Sequence, residues 1–156
     1  MGKEIERKFL LNPSEWEKLS KPEGKHLRQG YILTNPDKTI RVRVADSKGW
    51  LTIKGISIGA SRLEYEYEVP LQEALELLDH FSDQELEKIR YEIVHEEKLW
   101  EIDVFLGDNS GLIVAEIELS SEDEYFDLPI WIDKEVTHEQ KYFNSNLTQN
   151  PFKNWP

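Results

Sequence analysis

The sequence predicts a mainly β fold, a meandering antiparallel sheet of eight strands, open or closed, with three or four short helices against it. Three observations predict it. Eight segments alternate apolar and charged residues with period two. Turn-forming residues separate several of them, and only a few stretches carry helical spacing. The 156 residues contain no repeat and no Pro/Ser-rich linker, so residues 1–156 read as one domain.

The first strand spans Glu4–Leu11. Asn12-Pro13-Ser14-Glu15 follows as an N-cap, a proline at the first helical position and an acidic first turn, opening a helix to about Ser20. Leu27–Thr34 and Thr39–Ala45 flank the turn signal Asn35-Pro36-Asp37. Trp50–Lys54 comes after Ser47-Lys48-Gly49, and Arg62–Val69 is next. Leu71–Phe81 places Ala74, Leu75, Leu78 and Phe81 on one helical face. Glu87–His95, Leu99–Leu106 and Leu112–Leu119 complete the strands, with Gly107-Asp108-Asn109 and Gly111 turning between the last two. Ser121-Glu122-Asp123-Glu124 has capping-box spacing before a helix at Tyr125–Leu128. Thr137-His138-Glu139-Gln140 has it again, opening a last helix.

Composition excludes several classes of function. With no cysteine there is no disulfide, thiolate zinc site or Cys nucleophile, and a reducing cytoplasm is the expected compartment. The charged start Met1-Gly2-Lys3-Glu4 does not resemble a signal peptide, and no apolar run is long enough to span a bilayer. A net charge of −12 argues against binding nucleic acid or an anionic membrane. It leaves room for a small anionic substrate, because a local basic cluster or acid-bound metal ions reverse the field nearby.

Sorting the strands by parity shows where such clusters lie. Glu4, Glu6 and Lys8 share one face of the first strand, opposite Ile5, Arg7, Phe9 and Leu11. Arg41 and Arg43 oppose Ile40, Val42 and Val44, and Lys54 opposes Leu51 and Ile53. Arg62, Glu64, Glu66 and Glu68 oppose Leu63, Tyr65, Tyr67 and Val69. Lys88, Arg90 and Glu92 oppose Ile89, Tyr91 and Ile93. Glu101 and Asp103 oppose Trp100, Ile102 and Val104, and Glu116 and Glu118 oppose Ile113, Ala115, Ile117 and Leu119. A sheet with a core side and a solvated side explains any single strand. The set suggests more, because like charges recur at spacing two, about 6.5–7 Å apart, where they repel. Ligands account for that pattern: carboxylate pairs bracket hard cations, and Arg/Lys pairs bracket phosphate oxygens. If the sheet closes, the ionic face points inward and the apolar face lies outside under the helices.

These residues resemble the CYTH superfamily, also called triphosphate tunnel metalloenzymes. Glu4-Ile5-Glu6-Arg7-Lys8 is similar to its E-x-E-x-K signature. Arg28-Gln29-Gly30-Tyr31, Arg41-Val42-Arg43, Lys54, Glu64-Tyr65-Glu66, Glu87-Lys88-Ile89-Arg90-Tyr91, Glu101-Ile102-Asp103-Val104-Phe105 and Ala115-Glu116-Ile117-Glu118-Leu119 resemble its later motifs in order. Glu135-Val136-Thr137 with Lys141-Tyr142 resembles its C-terminal segment. The resemblance covers almost the whole chain. It implies a closed eight-stranded antiparallel β-barrel tunnel with a charged interior, a triphosphate substrate and a requirement for Mg²⁺ or Mn²⁺. Among family members, the short bacterial inorganic tripolyphosphatases are the most similar in layout.

On this reading Lys8, Arg41, Arg43, Lys54, Lys88 and Arg90 take phosphate oxygens, the arginines as bidentate forks and the lysines as point charges. The alternative for Lys54 and Lys88 is that they balance neighbouring carboxylates. Arg62 stays outside the core set. Glu4, Glu6, Glu116 and Glu118 are the candidates near a first metal ion. Glu64, Glu66 and Asp103 would serve a second ion or position the attacking water, since seven carboxylates exceed the needs of one Mg²⁺. Glu68, Glu92 and Glu101 fall near the rim. The resemblance implies a catalytic Lys8–Tyr31 pair; an ordinary core tyrosine is the alternative. His26, His80, His95 and His138 lack ligand spacing and read as surface or structural residues.

The expected reaction is metal-assisted hydrolysis of a terminal phosphoanhydride bond. Three rivals remain: cyclisation of ATP as in class IV adenylate cyclases, hydrolysis of thiamine or nucleoside triphosphates, and polyphosphate binding without catalysis. The sequence leaves monomer and homodimer open.

Overall fold

The computed structural model describes residues 2–156. The elements run β1 (Lys3–Leu11), α1 (Pro13–Lys18), β2 (Lys25–Asn35), β3 (Lys38–Ala45), β4 (Lys48–Gly55), β5 (Ser61–Val69) and α2 (Leu71–Phe81). They continue with β6 (Glu85–His95), β7 (Lys98–Phe105), β8 (Ile113–Glu118), β9 (Ile132–Glu135) and α3 (Asn144–Gln149), with single 3₁₀ turns at Gly107–Asn109, Gln140–Tyr142 and Phe152–Asn154.

The sheet order is β5-β4-β3-β2-β6-β7-β8-β1-β9, and β5 also pairs with β1, so eight antiparallel strands close into a ring. β1 makes the closure by dividing its length. Its start, Lys3–Ile5, pairs with β5, its middle, Glu6–Leu10, pairs with β8, and its end, Phe9 to Leu11, meets β9. All eight strands expected from alternation are present; six are one to three residues longer than expected, β7 is shifted by one residue and β8 is two residues shorter.

Local chemistry sets the helices. Asn12 Oδ1 accepts from the Ser14 and Glu15 backbone N–H groups and caps α1, with Pro13 at its first position. The helix ends at Lys18, before Ser20, because Leu19 turns extended. α2 matches its expected span and buries Ala74 and Leu78 against Val42, with Val44, Leu51 and Val69 around them. The approach is close: a Cβ at Gly49 would lie 2.3 Å from the Ala74 Cβ.

Three expectations change. Tyr125–Leu128 is not a helix: Glu124 turns back to accept from the Ser120 N–H and pairs with Lys98, and Pro129 follows closely. Thr137 does not cap the last helix; its Oγ1 accepts from the Lys8 N–H, and α3 begins only at Asn144. A ninth strand, Ile132–Glu135, lies on β1, too short and charged to show alternation.

The apolar core surrounds the ring. Ile5, Phe9, Ile102, Ala115 and Ile117 pack outward under Trp16, Trp131 and Phe126, centred on fully buried Trp100. Trp100 meets Phe9, Phe126 and Trp131 with ring centroids 5.6, 5.8 and 5.7 Å apart. A second cluster plugs one end of the interior. Leu86, Phe105 and Val114 share parity with the inward charges, and the C-terminal Val136, Tyr142 and Leu147 pack on them.

Trp100→Ala is expected to destabilise the protein by about 3–5 kcal/mol, because the truncation opens a cavity among three aromatic rings. A urea-denaturation midpoint equal to wild type would contradict that placement of the core.

Candidate active site

Ring closure turns the charged faces inward. One cavity, about 690 Å³ with its mouth included, is lined by Lys8, Arg41, Arg43, Lys54, Arg62, Arg90, Glu6, Glu116 and Tyr31. An adjoining space of about 560 Å³ shares Glu6, Arg41, Arg43, Lys54, Arg90 and Glu116, and adds Glu4, Glu64, Glu66, Glu101 and Glu118. The interior therefore passes from a basic chamber to an acidic mouth.

The structure brings together most of the residues singled out by parity, but not Lys88 and Asp103, which line neither space. Both are buried in the wall behind them. Lys88 Nζ donates to Asp103 Oδ2 at 2.7 Å and to Asn144 Oδ1 at 3.0 Å, which ties α3 to the ring. Arg90 forks onto the same carboxylate at 2.8 and 2.9 Å. Burial alone would raise the Asp103 pKa, but Arg90 and Lys88 outweigh it and hold the carboxyl ionised, far below the usual range. Asp103 thus has its oxygens committed to two cations, and it aims Arg90 into the cavity.

The other cations are held more loosely. Lys54 Nζ reaches Glu4 at 3.0 Å and Glu64 at 3.3 Å. Burial opposes its charge, yet Glu4 and Glu6 more than compensate and raise its pKa. Arg41 Nη2 donates to Thr52 Oγ1 at 3.0 Å and to Glu66 at 3.2 Å, while Arg41 Nε finds no partner among the described residues. Arg43 Nε donates to Gln29 at 3.0 Å; burial, with Arg41 and Arg90 nearby, lowers its pKa to about 9. Arg62 spends its guanidinium on the Gly55 carbonyl at 2.9 and 3.1 Å. Crowded cations with an orphaned donor fit an anion with several oxygens.

Lys8 stands between the two kinds of charge. Its Nζ lies 3.8 Å from Glu116 and 5.0 Å from the Phe143 ring centroid. Its backbone is fixed along the edge of β1: the Lys8 N–H donates to Thr137 Oγ1 at 3.0 Å, and the Val136 N–H donates to the Lys8 carbonyl at 2.8 Å. Thr137 in turn donates to Glu135, which takes a bidentate pair from Arg7 at 2.6 and 2.8 Å. Tyr31 borders the same chamber.

Glu6 is a carboxylate without a partner among the described residues: it makes no ion pair or side-chain hydrogen bond. Burial pushes its pKa well above the usual range, and Glu116 and Glu4 push it further. Glu116 is the opposite case: burial acts to raise it, but Lys8, Arg90 and Lys88 bring it down to about 2. Among the described residues no three acidic or imidazole groups enclose an ion unaided. That fits Mg²⁺ or Mn²⁺ only with help, since Mg²⁺ commonly takes one or two carboxylates and completes its octahedron with water and phosphate. Glu6 with Glu116, and Glu4 behind them, supply such a set. Glu118 and Glu66 are exposed at the mouth, whereas Glu68 and Glu92 are exposed and line neither space.

Parity could not find Ser57, Gly59 and Ala60 from the β4–β5 loop, nor Thr137, Phe143, Asn144 and Ser145 from the C-terminal segment. All seven line the basic chamber. They are uncharged and lie outside the regular strands. Only the Glu135-Val136-Thr137 resemblance pointed to that region.

The family model described as the CYTH domain matches residues 2–149. An inorganic triphosphatase of Acetivibrio thermocellus is 51% identical over 156 residues, covering 99% of both chains. One from Nitrosomonas europaea is 35% identical over 152 residues, covering 92% of this chain and 95% of its own. A crystal structure of an inorganic triphosphatase superposes with a TM-score of 0.64 at 32% identity, over 93% of each chain.

Asp103→Asn is expected to cost about 3–5 kcal/mol of stability, because two cations lose their buried counter-charge. Equal urea stability of variant and wild type would remove Asp103 from this role.

Proposed function

Because the chain belongs to the CYTH domain family, we propose that it is a hydrolase that splits inorganic tripolyphosphate at a terminal phosphoanhydride bond with Mg²⁺ or Mn²⁺. The observation that carries this reading is the single cavity in which Arg41, Arg43, Lys54, Arg90 and Lys8 face the unpaired Glu6 and its neighbour Glu116. The names of the two relatives, one 51% identical over nearly the full chain, support the substrate class.

Arg41 and Arg43 hold phosphate oxygens, Arg90, whose Nε and Nη2 are held by Asp103, adds its charge, and the orphaned Arg41 Nε gains an acceptor there. Lys54 and Lys8 neutralise the charge that remains. Glu6, Glu116 and Glu4 would hold the cation, with Glu118 at the mouth and room for a second ion among these acids. The cation, when bound, would neutralise phosphate charge and acidify a coordinated water.

Water attacks the terminal phosphorus in line, the bond from that phosphorus to the bridging oxygen breaks, and phosphate and pyrophosphate leave. Glu64 is suited to take the water's proton. Burial alone would raise its pKa, but Lys54, 3.3 Å away, keeps it ionised. Glu66 orients Arg41 through Thr52 rather than facing the reaction. Lys8 stabilises charge on the leaving oxygens, and Tyr31 borders the same chamber.

Purified protein is expected to release phosphate from tripolyphosphate with Mg²⁺ or Mn²⁺ and to stop when the cation is chelated. A substrate panel including ATP and thiamine triphosphate that shows no turnover of any member would refute the proposal. Glu6→Gln should lower that activity by at least about 100-fold with an unchanged circular dichroism spectrum, since a carboxamide is a poor ligand for a hard cation. Arg41→Lys should raise KM by roughly tenfold or more, because an ammonium cannot replace a bidentate fork. An unchanged KM would show that Arg41 does not touch substrate.

A further inference from the structure

The β4–β5 loop, residues 56–60, gives the basic chamber Ser57, Gly59 and Ala60, a wall without charge. Ser57 has a short side chain and Gly59 has none, and both are exposed, so packing of their own does not place them. Backbone contacts do. The Ile58 and Ser61 backbones exchange hydrogen bonds at 2.8 and 3.0 Å, and Arg62 donates to the Gly55 carbonyl at the base of the loop. The Ala60 carbonyl accepts from the Glu6 N–H at 3.1 Å. A further contact comes from a distant part of the chain: Glu122 Oε1 accepts from the Ala60 N–H at 3.0 Å. The same oxygen lies against Gly59, where φ is +63° and a Cβ would come within 2.5 Å of it. The carboxylate thus occupies the space a side chain at position 59 would need, and glycine admits it.

We infer that Glu122 is a positioning residue for the site. It lines neither interior space and acts through Gly59 and Ala60, which meet its carboxylate on one side and line the chamber on the other. Its own turn aims it. The Leu119 N–H donates to the Ile5 carbonyl at 2.7 Å, the Glu124 N–H donates to the Ser121 carbonyl at 3.2 Å, and Glu124 pairs with Lys98 on β7. The capping-box residues Ser121–Glu124 therefore start no helix and present Glu122 to the loop instead. Lys3 and Arg62 border the same surface groove as Glu122, so a carboxylate is favoured there, and a charged acceptor holds the Ala60 N–H more firmly than a neutral one. Without that contact Gly59 regains the freedom of a glycine, and the wall has to be ordered when an anion binds. The inference rests on the reading of the cavity as a triphosphate site. A wall that meets the anion equally before and during bond breaking affects KM and leaves kcat alone.

Glu122→Ala should raise KM for tripolyphosphate about fivefold with kcat within about twofold of wild type. Glu122→Gln, whose amide oxygen still accepts from the Ala60 N–H, should recover most of that loss. Gly59→Ala, whose methyl group would displace the carboxylate, should raise KM too, and the double variant should lose little more than the worse single one, because both act through one contact. Titration calorimetry with an imido analogue of tripolyphosphate and Mg²⁺ repeats the comparison on binding alone, so it is read whether or not the wild type hydrolyses tripolyphosphate. Circular dichroism checks folding. Equal analogue affinity in wild type and Glu122→Ala, a Glu122→Gln variant as impaired as Glu122→Ala, or additive losses in the double variant would overturn the inference. If Glu122→Ala fails to fold, Gly59→Ala decides: an analogue affinity equal to wild type in that variant overturns it.

Discussion

The contact of Asp103 with Arg90 and Lys88 is the interaction on which the rest of the interior depends. A ring that faces Arg41, Arg43, Lys54, Lys88 and Arg90 inward would repel itself without counter-charge. Asp103, 1% exposed, meets two of these cations at once. Its fork with Arg90 fixes the plane of that guanidinium, and Lys88 carries the connection on to Asn144 and so to the C-terminal segment. Such a buried triad contributes little net stability compared with an apolar core. What it provides is placement, by holding the neighbouring basic groups ready for an anion.

Stability comes instead from outside the ring and from its plugged end. Trp100, Trp131, Phe9 and Ile117 bury their surface against α1 and the 120–131 loop, while Leu86, Phe105, Val114 and Leu147 fill the interior beyond Lys88. The strands thus serve two purposes along their length: one end of the inward face is apolar and the rest is ionic. β1 shows this most clearly, since Glu4, Glu6 and Lys8 give way to Leu10 on the same side. The C-terminal segment then covers the edge of β1 beyond its pairing with β5, where Thr137 fixes the Lys8 backbone.

Much of this was legible in the sequence because strand alternation is a local signal. Arg41 and Arg43 had to share a face, and so did Glu4 and Glu6. Alternation could not decide whether that face met water or an enclosed space, since closure depends on Lys3–Ile5 reaching β5, a contact across about 60 residues of chain. It also could not distinguish Lys54, which lines the cavity, from Lys88, which lies behind it, because parity is blind to depth along the strand. The helix expected at Tyr125–Leu128 fails for a related reason: the Ser121–Glu124 turn has the right residues, but Glu124 is drawn away to Lys98 and Ser120. Phe143 and Asn144 carry no charge or period and could only be found in three dimensions.

Acidic and basic groups share one cavity here, and each needs the other's ligand: cation among the carboxylates, polyphosphate among the arginines. Two ligands that neutralise one another's surroundings must bind with reciprocal coupling. The most direct measurement is titration calorimetry of a non-hydrolysable imido analogue of tripolyphosphate, with and without Mg²⁺. The cation should strengthen analogue binding at least about tenfold, and the analogue should strengthen cation binding by the same factor. Equal affinity with the cation present and chelated would contradict it.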